Sequence, residues 1–150
     1  MRGSRGQAIV EFALIIPVLL AIATLAIDMA NMVFVAHRLS AATREGSRIA
    51  TETSLPTPEN PSPSDKCTLA QCVSSSSICC IAVNRTNLVL FNSGVTNGTV
   101  TGEWVPVVED DRRYVLLRVQ ASSVVNFFFG LGSQTINSAS VSYGDDFQVT

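Results

Sequence analysis

The sequence predicts an α+β protein in which a long N-terminal transmembrane helix packs on a small antiparallel β-sheet. The first observation is the uneven distribution of apolar residues: 24 of the 30 residues in 7–36 are apolar, against 45 of the 114 in 37–150. The second is a series of Val- and Thr-rich stretches in the last third of the chain, which is typical of strands. With 150 residues, the chain has room for one compact domain beside the helix.

The composition excludes several classes of function. Charged residues make up 15% of the chain, the net charge is −2, and Lys66 is the only lysine. Such a chain has no basic surface for nucleic acid. His37 is the only histidine and no Gly-rich phosphate loop is present. The sequence therefore predicts no enzyme, no cofactor and no metal site.

The apolar segment 8–27 is long enough to cross a bilayer. As a helix its residues span about 30 Å, which matches the hydrocarbon core. Arg2 and Arg5 precede it without an acidic residue, so we expect a cytoplasmic N-terminus and an outward-facing remainder. A secretory signal has a shorter apolar core, of about 7–15 residues. A plain signal anchor is the simplest alternative.

A carboxylate interrupts this segment near its start. A charge there costs about 3 kcal/mol or more unless it is neutralised or paired, so a simple anchor has no use for Glu11. Glu11 is the fifth residue after Gly6 and Phe12 follows it, a spacing that resembles the class III prepilin signature. The resemblance implies that a prepilin peptidase cuts between Gly6 and Gln7, and that Glu11 then meets the N-terminal amine of a neighbouring subunit. The alternative is a protonated or snorkelling carboxyl at the inner face.

A second motif lies at 41–48, which reads AATREGSR. Together with the start GQAIVEFA at 6–13 and Pro17, it resembles the TadE-like pseudopilins of the tight-adherence (Tad/Flp) pilus system over residues 6–50. Phe12 stands in place of the Tyr of the Flp-type motif and Ser47 in place of Ala, and neither change removes an expected function. The motif residues that we single out are Arg44, Glu45, Gly46 and Arg48.

This resemblance implies a pilin-like fold and a structural function. We expect a minor pilin or pseudopilin of the bacterial inner membrane, with one span, a cytoplasmic N-terminus and a periplasmic or extracellular C-terminal domain. Its partners would be the prepilin peptidase, other Tad pilins, inner-membrane pilus assembly proteins and the membrane. It would contribute to pilus biogenesis and adhesion. The alternative is a signal-anchored extracytoplasmic binding or adhesion module that is not assembled into a pilus.

The chain divides into four predicted parts. They are a leader at 1–6, a long helix at 7–54, a linker with four prolines at 55–66 and an extracytoplasmic domain at 67–150. Pro17 is expected to bend the helix. The outer half of the helix, 28–54, is amphipathic, so we expect its apolar stripe to lie on the sheet. The stripe consists of Met32, Val35, Ala36, Leu39, Ala42, Gly46, Ile49 and Ala50.

Four cysteines open the outer domain. Cys67, Cys72, Cys79 and Cys80 would meet an oxidising compartment and should form disulfides. Adjacent cysteines rarely bridge each other, which leaves two pairings: 67–79 with 72–80, or 67–80 with 72–79. A four-Cys zinc site is the competing interpretation, but the usual C-x-x-C spacing is missing.

The rest of the domain is predicted to contain one helix and three strands. The helix covers 78–91, with a strand over 87–91 as the alternative; the strands cover 99–108, 113–125 and 134–143, with a hairpin turn at 109–112. Two further features stand out. Asp28 is expected at the membrane interface, and the aromatic run 127–129 in the core or, if exposed, as an interaction patch.

Overall fold

The computed structural model describes residues 4–52, 66–73, 75, 77–109, 112–128 and 132–142. Its elements in chain order are α1 (Ser4–Glu52), β1 (Lys66–Thr68), a 3₁₀ turn (Gln71–Val73), α2 (Ile78–Asn92), β2 (Gly98–Glu109), β3 (Arg112–Asn126) and β4 (Ser133–Ser142). The long helix and the antiparallel sheet confirm the predicted α+β fold class. Residues 55–65 of the predicted linker lie outside the described residues, as do Asp110 and Asp111 of the predicted turn.

Helix α1 runs without interruption for 49 residues. It begins inside the predicted leader, so the predicted cleavage junction between Gly6 and Gln7 has helical backbone. Pro17 lies within the helix, where its missing N–H removes one backbone hydrogen bond. About two turns after Pro17, the Thr24 hydroxyl donates to the backbone carbonyl of Leu20 at 2.9 Å.

The sheet has four antiparallel strands in the order β1-β2-β3-β4. Glu109 is paired with Arg112, so only two residues connect β2 to β3, as the predicted hairpin requires. The β3–β4 hairpin closes with the pair Asn126 and Ser133. Because all neighbours in the sheet are also neighbours in sequence, the topology is a simple meander.

Both helices cover the same face of this sheet. Side chains alternate along a strand, so the pairing of Val100 with Ala121 and of Ala121 with Ser138 places all three on one face. The hydroxyl of Thr43 in α1 contacts that of Ser138 there. Val83 of α2 lies against Gly102, which is on the same face. The buried core therefore lies between the two helices and the inner face of β1–β4.

Two glycines permit close approaches in this core. A Cβ on Gly46 of α1 would collide with the hydroxyl of Thr86 and lie 2.9 Å from the Ala82 carbonyl oxygen, both in α2. A Cβ on Gly102 would lie 2.6 Å from the sulfurs of both Cys67 and Cys79. The small residues thus let the two helices cross closely and let a disulfide pack directly on β2.

The structure pairs Cys67 with Cys79 and Cys72 with Cys80, one of the two pairings that the spacing left open. The first bridge joins β1 to the start of α2, and the second joins the 3₁₀ turn to α2. Together they fasten the edge of the sheet to the helix that covers it. The short strand β1 was not predicted, because its three residues show no alternation.

The predicted helix over 78–91 is confirmed, so the alternative of a strand over 87–91 is wrong. Ser77 caps α2 by accepting a hydrogen bond from the Cys80 N–H at 3.2 Å. In β4 the apolar residues Ala139 and Val141 point to the exposed face, while Ser140 lies on the helix-covered face. The hydropathy of β4 alone therefore does not mark the core side of that strand.

Candidate functional site: the N-terminal helix and its docking to the sheet

The first half of α1 presents an apolar surface that nothing in the described part of this chain covers. Every large apolar side chain between Ile9 and Ile27 is exposed. Within the described residues, α1 is the one helix long and apolar enough to cross a membrane. A helix that is apolar all round suits a lipid environment. The helix is therefore consistent with a single-pass membrane anchor.

The predicted prepilin residues lie at the N-terminal end of this surface. Glu11 and Phe12 are both exposed, and Phe12 exposes 65% of its side chain. Gly6 and Gln7 lie one helical turn earlier, and the five positions from Gly6 to Glu11 span about 7.5 Å. The side chain of Glu11 projects from the helix next to apolar neighbours. The sequence and structure thus place a carboxylate on the surface that would face lipid or another helix.

The second motif lies where α1 crosses α2. The guanidinium of Arg48 donates to both carboxylate oxygens of Glu45, at 2.9 and 3.0 Å, and to Glu52 at 2.5 Å. Arg85 of α2 donates to Glu45 at 3.1 Å. Gly46 is the point of closest helix approach. Three of the four motif residues therefore form one structural unit that joins the helices, and Arg44 is exposed beside it.

The electrostatics of this unit follow from its two cations. The hydrogen bonds from Arg48, and next those from Arg85, lower the pKa of Glu45 from 4.5 to about 2. The hydrogen bonds to Glu45, and next the one to Glu52, raise the pKa of Arg48. Glu45 is therefore ionised at any physiological pH. The group is solvent-accessible, so its contribution is to fix the helix pair in one arrangement more than to add stability.

A seam of small hydroxyl residues, which the apolar pattern of the sequence does not predict, joins α1 to β4. Thr43 and Ser138 share a hydrogen bond at 3.3 Å, and Ser47 and Ser140 share one at 2.9 Å. Thr43 and Ser47 are buried, although they had no place in the predicted apolar stripe. The regular spacing of Ser138, Ser140 and Ser142 was the available signal. Ser47, which replaces the expected Ala, is explained by this contact.

Asp28 makes a contact that links the helix to the far end of the sheet. Its carboxylate oxygen Oδ1 accepts a hydrogen bond from the backbone N–H of Phe128 at 3.2 Å. Asp28 is only 6% exposed, whereas Phe128 exposes 81% of its side chain. The prediction that the aromatic run is core is wrong for Phe128. Phe129 lies outside the described residues.

A shallow cleft of about 420 Å³ lies at strands β2, β3 and β4. Its lining carries no charge and is mostly polar, from Thr99, Thr101, Gln120, Ser122, Asn137 and Ser138 together with Ala121 and Ala139. In the part of the chain that the structure describes, no cluster of His, Cys, Asp or Glu could hold a metal ion. The cleft offers hydrogen bonds but no group suited to acid–base or nucleophilic chemistry.

The described residues form an α+β protein in which one long apolar helix packs its outer half on a small antiparallel sheet. Residues 6–48 match the model of a family described as TadE-like protein, which confirms the predicted resemblance over most of α1. The likeness suggests a protein associated with the Tad pilus and the membrane, and the family is not one of enzymes. No curated protein and no solved structure matches the chain.

Proposed function

We propose that this protein is a minor pilin or pseudopilin of a Tad/Flp pilus assembly system. It is inserted with its N-terminus in the cytoplasm, cut between Gly6 and Gln7 by a prepilin peptidase, and held in the inner membrane by α1. It contributes to pilus biogenesis and adhesion together with other Tad pilins and the inner-membrane assembly proteins. The observation that carries the proposal is Glu11 on the exposed apolar surface of a helix whose outer half is already packed.

The division of α1 into two halves supports a subunit that assembles through its helix. The outer half is buried against α2, β3 and β4, with Leu39 and Ala42 fully covered. The inner half has no covering element among the described residues. In lipid, helices associate through close packing and polar contacts, because apolar burial gives no gain there. The exposed inner half is therefore the surface available to neighbouring pilin helices.

Glu11 supplies the polar contact. After cleavage the new amine would be on Gln7, four residues or about 6 Å along the helix axis from Glu11. An amine and a carboxylate from adjacent subunits attract strongly in a low-dielectric environment, and each neutralises the charge of the other. Because the pair is most stable when amine and carboxylate are in hydrogen-bond contact, about 3 Å apart, it selects one axial offset between neighbouring helices. Glu11 would thus set the register of assembly.

The test separates assembly from processing. We expect Glu11→Ala to be cut at Gly6 to about the same extent as the unmodified protein, but to fail to enter sheared pilus fractions or to support pilus formation. Glu52→Ala is the matched control, because it removes an exposed carboxylate from the same helix outside the membrane segment. Normal assembly of Glu11→Ala would refute the role of Glu11. If Glu52→Ala failed equally, the defect would belong to helix stability and not to Glu11.

A further inference from the structure

We propose that Phe128, two residues after β3, is a second point of attachment to the membrane, with its ring in the lipid boundary beside α1. The inference rests on the proposed anchoring of α1 in a membrane. It adds a lipid-contacting residue from the outer domain, one hundred residues away in sequence from the helix that it touches. The ligand is the lipid surface itself, at the junction of headgroups and acyl chains.

Hydrogen bonds from two backbone N–H groups hold residues 127 and 128. The Phe128 N–H donates to Asp28, and the Phe127 N–H donates to the carbonyl of Gly132 at 3.2 Å, which closes the hairpin end. Asp28 is buried, so this hydrogen bond is shielded from water. The backbone of Phe128 is therefore fixed at the level of Asp28, while its ring points outward.

That level coincides with the expected edge of the bilayer. A hydrocarbon core of about 30 Å corresponds to about 20 helical residues. Measured from Glu11 at the inner face, such a core ends near residue 31, about one turn beyond Asp28. Beyond Asp28, towards the C-terminal end of α1, exposed apolar side chains continue to Phe34. The first cation after them is Arg38, whose guanidinium lies 4.7 Å from the centre of the Phe34 ring. Phe128 thus lies at a depth where the surface of α1 is still apolar.

Lipid is the occupant that this position favours. The Phe128 backbone is bonded to Asp28, whose neighbours Ile27 and Met29 on α1 are exposed, so we expect the ring and the apolar surface of the spanning helix to meet the same solvent. Aromatic side chains are stable at the membrane interface, where apolar area is removed from water. The hydrogen bond to Asp28 also covers a carboxylate that would otherwise face lipid at a substantial cost. Two attachment points, α1 and Phe128, would fix the orientation of the sheet relative to the membrane.

The experiment places a fluorescent reporter at this position in the full-length protein in phosphatidylcholine vesicles. Phe128→Trp is compared with Phe91→Trp, whose parent side chain is also exposed, at 67%. Phe91 is on α2, which crosses α1 where Thr86 meets Gly46. Gly46 is about 27 Å from Asp28 along the axis of α1. Phe91 is five residues, or about 7.5 Å, from Thr86, so it lies at least about 20 Å from the level of Asp28. The unmodified chain, whose single tryptophan is the buried Trp104, sets the background.

We expect the indole introduced by Phe128→Trp to emit further to the blue than that introduced by Phe91→Trp. It should also be quenched by lipids brominated on their acyl chains and be protected from aqueous iodide. Equal quenching of the two variants by iodide would overturn the proposal. Shielding of the Phe128→Trp indole from both quenchers would overturn it as well, because a protein contact would then cover the ring.

A third variant, Ile16→Trp, tests the anchor separately, because Ile16 lies in the middle of the apolar segment. Quenching of Ile16→Trp by brominated lipid without quenching of Phe128→Trp refutes only the second attachment. Failure of the lipid to quench Ile16→Trp refutes the membrane span as well.

Discussion

The close crossing of α1 and α2 makes a sharp prediction at Gly46. In an exposed helix, Gly→Ala stabilises by about 1 kcal/mol, because alanine loses less backbone entropy. Here the added methyl would meet the Thr86 hydroxyl and, at 2.9 Å, the carbonyl oxygen of Ala82. The hydroxyl can rotate away, but the carbonyl belongs to the backbone of α2 and cannot move without shifting the helix. Overpacking costs about 1–3 kcal/mol, and a clash with a backbone atom belongs at the upper end of that range, about 2–3 kcal/mol, so we expect it to outweigh the propensity gain.

The net loss for Gly46→Ala is therefore about 1–2 kcal/mol, or roughly 2–8 °C in the thermal midpoint for a chain of this length. The assay is thermal unfolding of the full-length protein in detergent, followed by the fluorescence of the buried Trp104. Thr86→Ala in the Gly46→Ala background removes one of the two clashes and should recover part of the loss. A Gly46→Ala variant as stable as the unmodified protein would refute the reasoning, because it would show that the crossing has room for a methyl group.

Two further predictions concern the ion-pair unit and the disulfides. Since the pKa of Glu45 falls from 4.5 unfolded to about 2 folded, its stabilising effect is present above pH 4.5 and is lost as the pH falls towards 2. In Glu45→Gln the thermal unfolding midpoint should therefore depend less on pH over this range than in the unmodified protein. Glu52→Gln, which removes one bond to Arg48, should change this pH dependence less. Equal pH profiles for Glu45→Gln and the unmodified protein would contradict the prediction. Cys79→Ala should leave Cys67 as the one alkylatable thiol, located by fragmentation mass spectrometry, and lower stability by about 3 kcal/mol through loss of a short cross-linked loop. A label on Cys72 would instead indicate the other pairing.

The helices and strands were predictable because their patterns are local. The stripe Leu39, Ala42, Gly46 and Ala50 recurs with the helical period and is buried. Strands β2, β3 and β4 each begin and end within one residue of their predicted bounds, because turn residues flank runs of Val and Thr. The motif at Glu45 and Arg48 was visible in the sequence, but its contact with Arg85 depends on the packing of α2. The same holds for the exact choice between the two disulfide pairings.

The contacts that tie α1 to the sheet were not predictable, for a physical reason. Ser47 and Ser140 are small and polar, so a hydropathy pattern assigns them to the solvent side; they pack together because each hydroxyl satisfies the other. Asp28 was singled out for its expected position at the membrane interface, whereas its partner is a backbone N–H in a hairpin far along the chain. Backbone donors leave no mark on the sequence. Pairings of this kind follow from the three-dimensional arrangement alone.

The central claim is that this chain is processed as a prepilin and works as a pilus subunit. The most direct test is the intact mass and N-terminal sequence of the membrane-extracted protein, expressed with the prepilin peptidase and compared with a strain that lacks the enzyme. We expect a mature chain that starts at Gln7 with the peptidase and an uncut chain without it. A chain that still starts at Met1 in the presence of an active peptidase would contradict prepilin processing, and would favour an anchored extracytoplasmic binding module.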